Sequence, residues 1–211
     1  MKAYKTIDKN NRSAFGGSFN WSNYLPGDTP GKWAPRVDGI TMCESGYHSF
    51  FANHSLVWLS DQCFEVELGD IILFDRYNQG KAVSNTIRIV RKLPGYNKLN
   101  MRRFCLKAAE MCIDTSANRK QFYIWYKKLE EYVELDTPGN IKEFILEIGI
   151  PKSEFINFRT PLYKLADNML SFVLYPDVPI ATWQVALSLM KATRLKSWEV
   201  TKMFNEMVGI E

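Results

Sequence analysis

The hydrophobic pattern of this 211-residue chain changes period near Leu99. Before that point apolar side chains recur every second residue over short runs. After it they recur at helical spacing over long ones. This switch predicts an α+β protein. A small, strongly twisted sheet, mixed or antiparallel, is expected from residues 1–98. A helical bundle, 99–211, is expected to pack with it. Nine of the twelve glycines and both histidines precede Leu99, in keeping with turn-rich strands first and helices second.

Strands are predicted at 3–7, 46–51, 63–68, 71–74 and 81–93, with a short helix at 55–59 and Asn53 as its N-cap. In 63–68 the alternation is clean: Phe64, Val66 and Leu68 share one face, Glu65 and Glu67 the other. Residues 16–40 read as a long irregular loop carrying Trp21, Tyr24 and Trp33, a length that is often functional. Beyond Leu99, helices are predicted at 99–113, 119–133, 137–149, 160–173, 180–193 and 197–208. Thr137-Pro138 and Thr160-Pro161 mark two of the starts.

Several chemistries find no pattern. No apolar run approaches the roughly 20 residues of a membrane span. Met1-Lys2-Ala3-Tyr4-Lys5 is too polar to open a signal peptide. Four cysteines are too few for a disulfide scaffold, so reduced thiols and a cytoplasmic protein are expected. Cys43, His48, His54 and Cys63 are spaced by five, six and nine residues, which fits no zinc motif, so no metal site is expected. Gly16-Gly17 lacks the Gly-Lys-Ser/Thr of a phosphate loop, and no G-x-S-x-G occurs. Cys43 and His48 as a protease pair would need a strand-to-helix elbow that the pattern lacks.

A helix-turn-helix reading of the last two helices would present Trp198, Glu199, Lys202 and Asn205. Residues 176–211 carry four basic and four acidic side chains, however, not a basic footprint. Nucleic acid is therefore not an expected partner.

One ordered set of segments carries a resemblance. Cys43-Glu44-Ser45-Gly46-Tyr47-His48 is followed by Leu56-Val57-Trp58-Leu59, Phe64-Glu65-Val66-Glu67-Leu68-Gly69, Lys81-Ala82-Val83-Ser84 and Ile87-Arg88-Ile89-Val90-Arg91. Over residues 1–115 this resembles a family of phage and prophage proteins with a Cys-x-x-Gly-Phe/Tyr-His segment. The resemblance implies a phage origin and brings no established activity.

The same segments are more distantly similar to ADP-ribosyltransferases of the poly(ADP-ribose) polymerase type. The similarity places Gly46-Tyr47-His48-Ser49-Phe50 on the second strand, Phe64–Gly69 on a "Glu-Val-x-Leu-Gly" strand and residues 85–90 on the strand of the catalytic glutamate. Two positions depart. Tyr4-Lys5 stands where the family has His-Gly, and Thr86 stands at the catalytic glutamate, so Glu65 or Glu67 would have to supply the carboxylate. The similarity thus implies Tyr4, Tyr47 and His48 as NAD-binding residues and Glu65 and Glu67 as the catalytic ones. NAD or another nucleotide is the implied ligand, and no cofactor is required. On the residues alone, His48 also reads as a core histidine, and Glu65 and Glu67 as the solvated face of a strand. Lys81, Arg88, Arg91 and Lys92 read either as a phosphate-attracting stripe or as edge protection.

Three functional expectations result. The first is a phage-encoded effector in the host cytoplasm, with an ADP-ribosyltransferase-like sheet and a cleft lined by Tyr47 and His48 and rimmed by the 16–40 loop. The second is a non-catalytic interaction protein that inhibits or redirects a host or defence protein. The third is a DNA-binding regulator.

Overall fold

The computed structural model describes residues 2–14, 17–75, 80–113, 178–193 and 195–211, with positions 123, 126–128, 130, 131 and 133. The helices expected at 137–149 and 160–173 lie outside these residues, as does part of the one at 119–133. The strands are β1 (Ala3–Ile7), β2 (Tyr47–Phe50), β3 (Gln62–Leu68), β4 (Ile72–Phe74), β5 (Lys81–Ser84) and β6 (Ile87–Lys92). They form one six-stranded antiparallel sheet in the order β4-β5-β2-β1-β3-β6. Helices α1 (Lys98–Ile113), α2 (Val178–Thr193) and α3 (Ser197–Val208) follow. The protein is α+β. No helix among the described residues is long and apolar enough to cross a membrane.

The period-two pattern sorts the strand residues to two faces, and in β1 and most of β5 both are buried. Ala3, Ile7, Phe64, Val66, Ala82, Ile87 and Ile89 turn to one core, which also takes Trp21, Ala34 and Tyr47 from outside or at the edge of the strands. Trp21 is fully buried, and its indole N–H donates to Ser13 Oγ at 2.8 Å, so the ring's one polar atom is satisfied.

The expected strand at 81–93 is instead two strands, β5 and β6, at different places in the sheet. The reason lies in a long hairpin. β3 and β4 run antiparallel to β6 and β5, so that Leu68 faces Ile87 and Ile72 faces Ser84. Between these pairs the hairpin bends at Gly69-Asp70 and Asn85-Thr86. The bend is held by Gly69 N–H to Thr86 O at 2.9 Å, Asn85 N–H to Ile71 O at 3.1 Å and Val37 N–H to Asn85 O at 2.8 Å. Side chains add to it. Ser84 Oγ donates to Thr86 O at 2.8 Å, and Thr86 Oγ1 to Ala34 O at 2.6 Å. One half of the hairpin joins β2 through β5, and the other joins β1 through β3. The phase of the alternation shifts between Ala82 and Ile87, which turn to the same core, but no glycine or proline marks the bend on this side.

Two local differences are smaller. The short helix is a 3₁₀ turn at Ala52–Val57, whose N-cap is Phe51 with no side-chain cap bond, so Asn53 is not the cap. The 16–40 loop partly orders itself along the outer edge of β6. Gly31 N–H donates to Ile89 O, and Ala34 N–H to Ile87 O, both at 2.8 Å. This occupies an edge that would otherwise present unpaired carbonyls.

Two compact units divide the chain: Met1–Asn97 with Val208–Glu211, and Lys98–Met207. Within the second, Met101, Phe104, Cys105, Ala108 and Ala109 form the buried stripe of α1. Phe104 meets Phe204 of α3 edge to face, with centroids 5.3 Å apart. At the start of α3 the Glu199 carboxylate accepts the Lys196 N–H at 2.7 Å, which satisfies a donor at the helix N-terminus.

Gly69 tests the bend. A Cβ there would collide with Thr86 Cγ2 and lie 2.8 Å from Asn85 Oδ1. Gly69→Ala is expected to destabilise the fold by about 1–3 kcal/mol, the cost of overpacking, read as a lowered urea midpoint at unchanged slope.

Candidate ligand cleft

The bend leaves β1 and β2 sharing a single register pair, Tyr4 with Phe50, whereas β1 and β3 share five. Beyond Tyr4 the two strands diverge, and a cavity of about 570 Å³ borders them. Its walls include Lys5, Cys43, Tyr47, His48, Trp58 and Lys81. Gly17, Ser18, Phe19 and Val37 of the loop also line it, as does the carboxylate-bearing Glu44.

Lys5 is the unusual member. On β1 it stands in phase with Ala3 and Ile7, on the face that turns to the core. It is 6% exposed and has no carboxylate partner among the described residues. Its Nζ donates to the His48 carbonyl at 3.0 Å and lies 4.9 Å from the centre of the Trp21 ring. Burial without a counter-ion pushes its ammonium down to about 8. The carbonyl bond uses one of three N–H donors.

His48 enters on β2 behind Gly46, whose φ of +104° suits glycine and where a Cβ would lie 2.7 Å from Val83 Cγ2. The imidazole Nε2 accepts the Cys43 N–H at 3.0 Å, which leaves the neutral ring's proton on Nδ1. Burial first, then the charges of Lys81 and Lys5, lower His48 to about 4. Cys43 itself has φ +69°, a left-handed conformation that side chains rarely adopt. Lys81 Nζ donates to Cys43 Sγ at 2.8 Å and lies 5.2 Å from the Trp58 ring centre.

The remaining candidates are placed as follows. Tyr47 borders the cleft with its ring in a cluster with Phe19 and Trp21, centroids 5.3 and 5.7 Å away, and its hydroxyl donates to Pro35 O at 2.8 Å. Tyr4 does not border the cleft. Its hydroxyl donates to Glu211 O at 2.7 Å and accepts the Glu211 N–H at 3.1 Å. Glu65 and Glu67 are also absent from the walls. They pair across β3 and β6, Glu65 with Arg91 at 2.7 Å and Glu67 with Arg88, whose guanidinium lies 5.1 Å from the Trp33 ring centre. Lys92 donates to Gln62 Oε1 at 2.9 Å. Arg88, Arg91 and Lys92 are thus tied to strand partners, and Lys81 alone of the basic stripe reaches the cleft. Thr86 lies in the hairpin bend. No group of three His, Cys, Asp or Glu side chains gathers as metal ligands would among the described residues.

The structure therefore unites Tyr47 and His48 but not these two with Tyr4 or either glutamate. Sequence reasoning did not single out Lys5 or Trp58 for the cleft. A signal for Lys5 was present: it is the one charged residue on the apolar phase of Ala3–Ile7. Trp58 offered no such signal, because its place depends on the 3₁₀ turn and on Lys81.

The His48 shift has a definite sign. Its folded value, about 4, lies below the ordinary 6.5. Between the two the unfolded chain binds more protons, so this residue costs stability as pH falls from about 6.5 to about 4. His48→Gln is expected to flatten the acid limb of the Tm–pH curve. Parallel acid limbs in the two proteins would contradict the assignment.

No protein-family model matches this chain, and no curated protein or solved structure matches it either.

Proposed function

We propose that the protein is a phage-encoded cytoplasmic effector whose cleft between β1 and β2 binds NAD or another nucleotide. The observation that carries the reading is Lys5, a buried ammonium without a carboxylate partner among the described residues. Burying such a charge is costly, and an anionic ligand would offset the cost on binding. Lys81 supplies a second cation to the same walls, against the one carboxylate of Glu44, and Trp58 supplies an aromatic ring beside it. Phosphate with an attached ring is the ligand chemistry that suits this combination.

The order of elements supports the same reading. The segments that resemble ADP-ribosyltransferase strands are β1, β2, β3 and β6, with the 3₁₀ turn between β2 and β3. The phage context rests on the resemblance of residues 1–115. Binding, rather than transfer, is what we infer. Glu65 and Glu67 sit in ion pairs away from the cleft walls, and Thr86 cannot supply a carboxylate.

A second reading, an interaction protein acting on a host or defence protein, has one observation in its favour. Leu73 and Phe74 of β4, with the preceding Ile71, are exposed along one sheet edge. The DNA-binding reading gains nothing comparable. Of its four contact residues, Asn205 is buried and Glu199 turns back to the Lys196 N–H.

Calorimetric titration with NAD and with ADP, on wild type and Lys5→Met, tests the first reading. Saturable binding by wild type is expected, weakened about tenfold or more in Lys5→Met, as for a lost charge-assisted contact. The same substitution removes a buried charge and is expected to stabilise the unliganded protein by about 1–3 kcal/mol. Absence of saturable binding by wild type would sink the nucleotide reading.

A further inference from the structure

We propose that Lys5 is an imine-forming amine: its Nζ, at the wall of the cleft between β1 and β2, condenses with the carbonyl carbon of a small 2-oxo acid. This goes beyond the nucleotide reading and does not rest on it, because NAD and ADP carry no aldehyde or ketone.

Such chemistry needs an amine with a free lone pair, room beside it and surroundings that do not favour the ammonium form. Lys5 meets each need. It is 6% exposed yet lines a cavity of about 570 Å³, a volume that suits a small molecule. Nζ lies 3.0 Å from the His48 carbonyl and 4.9 Å from the Trp21 ring centre, and neither group carries a negative charge. On β3 its register partner is the apolar Phe64. The titratable groups that share the cavity walls are Tyr47 and His48 of β2, Lys81 of β5, and Cys43 and Glu44 of the 41–45 turn. Of these, His48 is held neutral and Lys81 adds a like charge. No ion pair joins Lys5 to Glu44 or to any other carboxylate among the described residues. Burial therefore holds Lys5 at about 8. At about pH 7.5 roughly a quarter of such amines are unprotonated, against roughly one in a thousand for an ordinary lysine. The unprotonated amine keeps its bond to the His48 carbonyl through one N–H, and its lone pair is free to attack.

The acid group of the ligand follows from the product. The lysine nitrogen attacks the carbonyl carbon and a C–N bond forms. The π pair of the C=O moves to oxygen, which takes a proton as nitrogen releases one. The carbinolamine then expels its hydroxyl, protonated by solvent, as water, and the nitrogen lone pair closes the C=N bond. One amine, one carbonyl compound and one proton thus give one iminium and one water, with nothing oxidised or reduced. The iminium is a cation at a position where no carboxylate pairs with Lys5 among the described residues. A simple aldehyde would leave that charge uncompensated, which is costly in a buried site. A 2-oxo acid brings its own carboxylate on the iminium carbon, and Lys81 stands on the same walls for a second ionic contact.

The test is reductive alkylation of the native protein with glyoxylate and cyanoborohydride. The hydride fixes each imine as a secondary amine, read lysine by lysine in peptide maps. Propanal, which has no acid group, is the comparison probe. The exposed Lys9, Lys32 and Lys196 give the rate of a plain lysine in the same sample. Protection of the buried Cys63 and Cys105 from iodoacetamide shows that the protein stays folded throughout. At about pH 7.5 Lys5 is expected to react with glyoxylate about tenfold or more faster than the exposed three. Its glyoxylate-to-propanal ratio is expected to exceed theirs about fivefold or more. The lead is expected to shrink at about pH 10, where ordinary lysines also lose protons. A Lys5 no faster than the exposed lysines would overturn the proposal. So would a glyoxylate-to-propanal ratio equal to theirs, or a lead undiminished at the higher pH. None of these results bears on the calorimetric titrations with NAD and ADP, so the two readings fail separately.

Discussion

The bend of the long hairpin is the constraint from which the sheet domain's other features derive. Gly69 passes so close to Asn85 and Thr86 that no Cβ fits, and the backbone groups on both sides are bonded across the gap. Without the bend, β5 and β6 would be one strand against one partner. With it, the two halves face different neighbours, β2 on one side and β1 on the other through β3. β1 and β2 then cannot pair along their length. A cavity appears between strands that a flat sheet would have zipped together.

That cavity explains where Lys5 is placed. In a fully paired sheet the position after Tyr4 would hold an apolar side chain in phase with Ala3 and Ile7. Here the departing strand leaves the His48 carbonyl available, and the lysine caps it. The cap does not satisfy the ammonium fully. The site stores a desolvated charge, and such charges gather where binding or chemistry needs them. His48 works in the opposite sense: kept neutral beside two lysines, it serves as an acceptor and fixes the turn that carries Cys43.

What the sequence made legible was what depends on local alternation. Ala3–Ile7 is a short run with Tyr4, Thr6 and Ile7 of high β-propensity, ended by the polar Asp8–Arg12 turn, and β3 declares its two faces through Phe64, Val66 and Leu68 against Glu65 and Glu67. The switch near Leu99 identified the fold class for the same reason. The bend escaped, because Ser84, Asn85 and Thr86 include no glycine or proline and their role is set by partners on Gly69, Ile71 and Ala34. Of the site, Tyr47 and His48 were legible through the Gly-Tyr-His segment. The glutamates were drawn in by analogy, and the structure gives them to Arg88 and Arg91 in cross-strand pairs, each worth well under about 1 kcal/mol at the surface. The pairing of Lys81 with Cys43, residues far apart in sequence, has no local signature.

The two margins of the sheet are unlike. Along β6 the 31–37 segment already occupies the outward carbonyls of Ile87 and Ile89. Along β4 no strand follows among the described residues, and Leu73 and Phe74 lie open. A sheet with two open margins can recruit copy after copy and grow into a fibre. A sheet with one blocked margin can accept a strand only at the other. Two such molecules meeting β4 to β4 would exhaust the available edge, and growth would stop at a pair.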